Sequence, residues 1–98
     1  MRFWDASAIV PLLVDEPQSG RMLGLFRTDP HLVVWWATTV ECVAAVARRE
    51  REGALDSRAA TSALNRLDRL ARRWDEVQPV ADVRSAARRL LQIGRAHV

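Results

Sequence analysis

Apolar residues form short segments whose periodicity alternates between that of strands and that of helices. Residues 1–4 predict a short strand, and the continuous apolar run at 32–35 predicts a second one. Between them the pattern favours helices at about 8–13 and 18–28, the latter entered through Pro17. A strand that is apolar on both faces is typical of a parallel sheet, so we expect helices on each side of it.

The next apolar segment predicts a long helix. Thr38 or Thr39 can cap it, and it continues to about Glu52, where Gly53 ends it. The following pattern predicts another helix, opened by Asp56 or Ser57 and running to about Asp75. Its apolar stripe repeats every 3.6 residues and comprises Ala60, Leu64, Leu67, Ala71 and Trp74.

Two further elements complete the pattern. Val77–Val80 predicts a third short strand, and Asp82–Leu91 predicts a last amphipathic helix. The resulting order, β-α-α-β-α-α-β-α, is typical of an α/β sandwich around a parallel sheet. Three strands are few for such a sheet, so we expect the fold to be incomplete.

Composition narrows the class of protein. The chain is 49% hydrophobic and 28% charged, which indicates a globular domain. Cys42 is the only cysteine, so no internal disulfide can form and we expect a reducing, cytoplasmic location. The apolar run Ala6–Val14 is too short to span a bilayer, so we expect no membrane association. A net charge of +3, with arginine supplying all 15 basic residues, permits a polyanionic partner.

Asp5 is the first candidate for chemistry. It ends the first predicted strand, and ligands of open parallel sheets bind beyond the carboxyl ends of strands. The alternative is that Asp5 only caps the following helix.

Glu41 is the second candidate, because it is the only charged residue in 38–47. An ionised carboxylate in such a setting needs a cation, a donor or water. The alternative is a first-turn glutamate favoured by the helix dipole. If both acids reach one sheet edge beside the hydroxyls of Ser7 and Thr39, they form an oxygen-rich site suited to Mg²⁺ or Mn²⁺.

Two motifs resemble those of PIN domains, the metal-dependent ribonucleases that include VapC-type toxins. Residues 3–13 (FWDASAIVPLL) are similar to the opening of that family, in which an aspartate ends the first strand. Residues 38–49, with Glu41, resemble its second acidic motif. The likeness covers about residues 1–92 and implies a three-layer α/β/α sandwich.

The resemblance also implies a function. Asp5 and Glu41 would be catalytic acids that bind Mg²⁺ or Mn²⁺, supported by Ser7, in an endoribonuclease toxin of a toxin–antitoxin pair. The implied partners are an RNA substrate, a small antitoxin and, at full length, a second copy of the chain.

The chain departs from the family pattern at its C-terminal end. The third and fourth acidic motifs of the family do not occur in it, and Asp82 falls in a helix that the family uses structurally. Residues 93–98 resemble one reading frame of a sequencing adapter, so we expect a non-native tail after an incomplete domain at 1–92. We therefore expect this chain to be an inactive or nearly inactive fragment.

Other conspicuous residues have plainer interpretations. The tryptophans fit packing in the core or between sheet and helices better than base stacking. The arginines fit solvated helix faces, unless one cluster borders the acidic site and binds RNA phosphates. The other functions left open are a non-catalytic module that binds a partner or nucleic acid, and an α/β domain whose acids only cap helices. The tryptophans are Trp4, Trp35, Trp36 and Trp74. The arginines form two clusters, Arg48, Arg49 and Arg51 in the first and Arg66, Arg69, Arg72 and Arg73 in the second.

Overall fold

The structure, a computed structural model, describes residues 1–79 of the 98-residue chain as a parallel sheet with four helices. The predicted α/β class and parallel sheet are confirmed for this part, and the strands lie in the order β1-β2-β3. The helix predicted at 82–91 lies outside the described residues. The elements are β1 (Arg2–Trp4), α1 (Ala6–Leu13), α2 (Ser19–Thr28), β2 (Leu32–Trp35), α3 (Thr38–Arg51), α4 (Ser57–Ala71) and β3 (Asp75–Val77).

One face of the sheet carries the core. Trp4 pairs with Val34 across β1 and β2, and Leu32 lies on the same face because alternate strand residues point the same way. All three side chains are buried. Helices α1, α3 and α4 pack against them with Ile9, Val10, Leu13, Cys42, Val46, Ala60, Ala63 and Leu67.

The opposite face of the sheet is exposed within residues 1–79. Phe3, Trp35 and Val77 share it through the strand register and are 60%, 41% and 40% exposed. The prediction of helices on both sides is therefore met on one side only in this part of the chain. The prediction that Trp35 and Trp36 pack in a core is wrong here, whereas Trp4 and Trp74 are buried as expected.

Several predicted boundaries need correction. The N-cap residue of α3 is Ala37, not Thr38 or Thr39, and no side chain forms a capping hydrogen bond there. Thr38 already belongs to the first turn of the helix, where it is buried. Helix α4 ends at Ala71 rather than near Asp75, since the chain there turns into β3 and pairs with β2. The third strand is accordingly Asp75–Val77, not Val77–Val80.

The buried stripe along α4 differs from the predicted one at a single position, since Ala60, Leu67 and Trp74 are buried as expected. Ala63 is fully buried, whereas the predicted Leu64 is 39% exposed. The stop signal at Gly53 is confirmed by its φ of 79°, in the left-handed region that favours glycine. Asp56 is confirmed as the cap of α4.

Candidate metal centre

Asp5 lies directly between β1 and α1 and caps the helix. Its Oδ1 accepts hydrogen bonds from the Ser7 hydroxyl at 2.6 Å and from the backbone N–H of Ala8 at 3.1 Å. The Ser7 hydroxyl, followed by the Ala8 amide, lowers the pKa of the Asp5 carboxyl. The carboxylate is therefore ionised at neutral pH and exposed, and the bonds from the Ser7 hydroxyl and the Ala8 amide both go to its Oδ1. Capping is thus established, and it leaves one oxygen available to a ligand.

Glu41 lies in the first turn of α3 on its outer surface. The inner surface of the helix is set by Thr38, Cys42 and Val46, which are buried against the core. This spacing leaves Glu41 exposed, and it forms no ion pair with any residue in 1–79. The helix dipole favours a negative charge at this position in the first turn.

Cys42 is a shared neighbour of the two carboxylates. Burial, followed by the negative charges of Glu41 and Asp5, raises the pKa of its thiol to about 11. The two acids therefore act on one buried group. This is the expected result of the topology, because β1 and β2 are adjacent and parallel and α1 and α3 both begin at their carboxyl ends.

A groove lies between α1 and α3, and we call it the α1–α3 groove; Glu41 lines it, whereas Asp5 and Cys42 do not. Ser7 lines it from α1 and Glu41 lines it from α3, together with three alanines. Thr39 is not among its lining residues, because residues two apart on a helix do not face the same side. The groove is lined by Ala6, Ser7, Val10, Glu41, Ala44, Ala45, Arg48 and Arg49.

The donor set fits Mg²⁺ or Mn²⁺ in kind but is small. Asp5 and Glu41 offer exposed carboxylate oxygens, and Ser7 adds a hydroxyl, which suits a hard cation that keeps several waters. No group of three or more His, Cys, Asp or Glu side chains in residues 1–79 could hold a metal ion. Two carboxylates alone would bind such an ion weakly.

His31 does not contribute to this centre. Its Nε2 lies 2.5 Å from Oδ2 of Asp75, and the two residues precede β2 and begin β3. They are therefore at the amino ends of the strands, opposite to Asp5.

One contact of the groove could not be expected from the sequence. Arg49 Nε donates to Oε1 of Glu16 at 2.5 Å, and its Nη1 donates to the carbonyl of Ala45 at 3.1 Å. Glu16 appears in the sequence only as part of a helix-breaking Asp-Glu-Pro turn. The two partners are 33 residues apart, so no local pattern indicates their pairing.

A second groove lies between α1, α2 and α4, and we call it the arginine groove. Its floor is apolar and its rim carries four arginines, one of which, Arg66, is held by the carbonyl of Leu13 at 3.0 Å. Its volume is about 450 Å³. The lining residues are Leu12, Leu23, Phe26, Leu70, Arg66, Arg69, Arg72 and Arg73.

Neither a protein-family model nor a curated protein matches the chain. Within residues 1–79, none of the helices has the length and apolar character needed to cross a membrane. The functional assignment therefore depends on the residues above and on their geometry.

Proposed function

We propose that this chain carries part of the metal site of a ribonuclease, in which Asp5 and Glu41 bind Mg²⁺ or Mn²⁺ and Ser7 orients Asp5. The observation that supports the proposal is the α1–α3 groove, which Glu41 lines together with Ser7, whose hydroxyl donates to Asp5 at 2.6 Å. The resemblance to PIN domains extends the proposal to a three-layer sandwich and to a VapC-type toxin with an antitoxin partner and a homodimeric form.

Asp5 and Glu41 would have different roles in the site, because their surroundings differ. The Ser7 hydroxyl bond and the helix cap fix the Asp5 carboxylate and keep it ionised. Glu41, which has no partner in residues 1–79, can turn its carboxylate toward the same ligand. A bound divalent ion would supply Lewis-acid stabilisation of charge on the phosphodiester and activation of a water. The groove beyond Glu41 would then receive the RNA backbone.

The decisive experiment is single-turnover cleavage of a labelled single-stranded RNA with protein in excess over RNA. Because the chain offers only two carboxylates, we expect slow cleavage that requires Mn²⁺ and stops with EDTA. Glu41→Gln should abolish it, whereas Glu50→Gln, at an exposed position near the other end of α3, should not. Cleavage that survives Glu41→Gln or EDTA would contradict the proposal, as would the absence of both cleavage and Mn²⁺ binding.

The arginine groove favours a second candidate, a non-catalytic module that binds an acidic partner chain or nucleic acid. Apolar side chains under a basic rim suit a ligand with both apolar and anionic groups. In that case paired Arg69→Gln and Arg73→Gln substitutions would remove binding, and Glu41→Gln would change nothing. The opposite pattern supports the ribonuclease.

A further inference from the structure

The α1–α3 groove has two ends of opposite charge. Ser7 and Glu41 lie at the acidic end, and Arg48 and Arg49 lie farther along the same face of α3. Residues 41 and 48 are seven positions apart, so their backbones are about 10 Å apart along the helix axis. A single anionic chain lying in the groove could therefore meet a divalent ion at the acidic end and an arginine at the other.

The two arginines are not equivalent. Arg49 is already engaged with the Glu16 carboxylate and the Ala45 carbonyl, which fix its guanidinium. Arg48 is exposed and forms no ion pair with any residue between 1 and 79. Its charge is thus the one that the groove can present to a ligand.

We infer that Arg48 binds an RNA phosphate next to the one that a divalent ion on Asp5 and Glu41 would hold, and so sets the path of the RNA backbone along the α1–α3 groove. This inference rests on the proposed ribonuclease function and names how its substrate is held. A guanidinium suits the role because its planar set of N–H donors matches phosphate oxygens. Contacts to phosphates position a nucleic acid without reading its sequence.

The plainer interpretation is that Arg48 is a solvated cation near the carboxyl end of α3, where the helix dipole favours positive charge. Arg51 meets the same description, since it is exposed and also lies in the last turn. It differs in one respect, because it does not line the groove. Arg51→Gln is therefore a matched control for Arg48→Gln.

The test measures binding of a fluorescein-labelled, non-cleavable 2′-O-methyl oligoribonucleotide by the 98-residue chain at a fixed Mn²⁺ concentration, across a range of salt concentrations. Each phosphate contact to a single strand contributes about 0.7 to the slope of log affinity against log salt. We expect Arg48→Gln to weaken binding several-fold and to lower this slope by about 0.7. Arg51→Gln should leave both unchanged, and Arg48→Lys should restore the slope because it keeps the charge.

Each of the following outcomes either supports or overturns the inference about Arg48. Equal effects of the two glutamine variants, no effect of either, or no RNA binding by the wild type would overturn the inference. The far-ultraviolet circular dichroism of each variant checks that it folds. Arg48-dependent binding without Glu41-dependent cleavage would keep the RNA contact and reject the ribonuclease. Glu41-dependent cleavage without an effect of Arg48→Gln on RNA binding would support the ribonuclease and reject the RNA contact at Arg48.

Discussion

The amino-terminal ends of α1 and α3 follow neighbouring strands, yet they use their carboxylates differently. At α1, Asp5 accepts two hydrogen bonds and caps the helix. At α3, no side chain caps the helix, and Glu41 projects from the first turn without a partner among the described residues. A structural role alone explains Asp5, whereas none of the described contacts explains Glu41. Glu41 is therefore the sharper test of function.

The largest expected effect comes from replacing Asp5, which caps α1 and is also a proposed metal ligand. Asp5→Ala should abolish Mn²⁺ binding and also lower the free energy of unfolding by about 1 kcal/mol, the usual cost of losing a helix cap. Urea denaturation and Mn²⁺ titration measure the two effects on the same samples.

Asp56 provides the control for that substitution. It caps α4 in the same way, with its Oδ1 accepting from the N–H of Ala59 at 2.7 Å. Asp56→Ala should cost a similar free energy of unfolding and leave Mn²⁺ binding intact. Loss of metal binding in both variants would mean that Asp5 acts only through the stability of the fold.

Glu41→Gln should separate function from stability. The side chain is exposed and unpaired within residues 1–79, so the free energy of unfolding should change by less than about 0.5 kcal/mol. Mn²⁺ binding should nevertheless be lost, because one of the two charged ligands is gone. A marked fall in stability would show instead that Glu41 supports the fold.

The pH dependence of stability should report on Asp5 in particular. Its pKa is lowered from the ordinary value of 3.8, chiefly by the Ser7 hydroxyl. The stability contributed by its charge is complete above that ordinary value and is lost as the pH falls through the lower, folded value. Asp5→Asn still offers a cap but does not titrate, so its stability relative to wild type should improve as the solution is acidified below pH 3.8. A difference that does not vary with pH would contradict this account.

The smallest expected effect is that of Ser7→Ala. Losing the 2.6 Å hydrogen bond from the Ser7 hydroxyl should raise the pKa of Asp5 toward its ordinary value and weaken Mn²⁺ binding a few-fold. Asp5 should still cap α1, because the backbone N–H of Ala8 continues to donate to its carboxylate. A carbon-detected NMR titration of the Asp5 carboxyl measures the pKa directly. An unchanged pKa would show that the hydroxyl has no orienting role.

Much of the fold can be predicted from local signals. The β2 run at 32–35, the cap at Asp56 and the glycine stop at Gly53 are all local, and all three are confirmed. The end of α4 and the position of β3 could not be predicted, because pairing with β2 determines where the chain leaves the helix. The exposure of Trp35 follows from strand alternation combined with which sheet face the helices cover, and an apolar run does not contain that information.

In the candidate site, too, some features can be predicted from the sequence and others depend on tertiary packing. Asp5 and Glu41 stand out in the sequence because each is an acid in an apolar setting after a strand. Their common neighbour Cys42 and the pairing of Arg49 with Glu16 depend on tertiary packing. The α1–α3 groove likewise depends on how α1 and α3 pack, which brings Ser7 and Glu41 to one surface.

The most direct test of the central claim is to locate bound Mn²⁺ by paramagnetic broadening in the ¹⁵N–¹H spectrum of the 98-residue chain. The account predicts that amide signals at the starts of α1 and α3, around Ser7 and Cys42, broaden first. Those at Ala59, beside the Asp56 cap, should not, and Glu41→Gln should remove the effect. Equal broadening at Ser7 and Ala59, or broadening that persists without Glu41, would contradict a shared metal site.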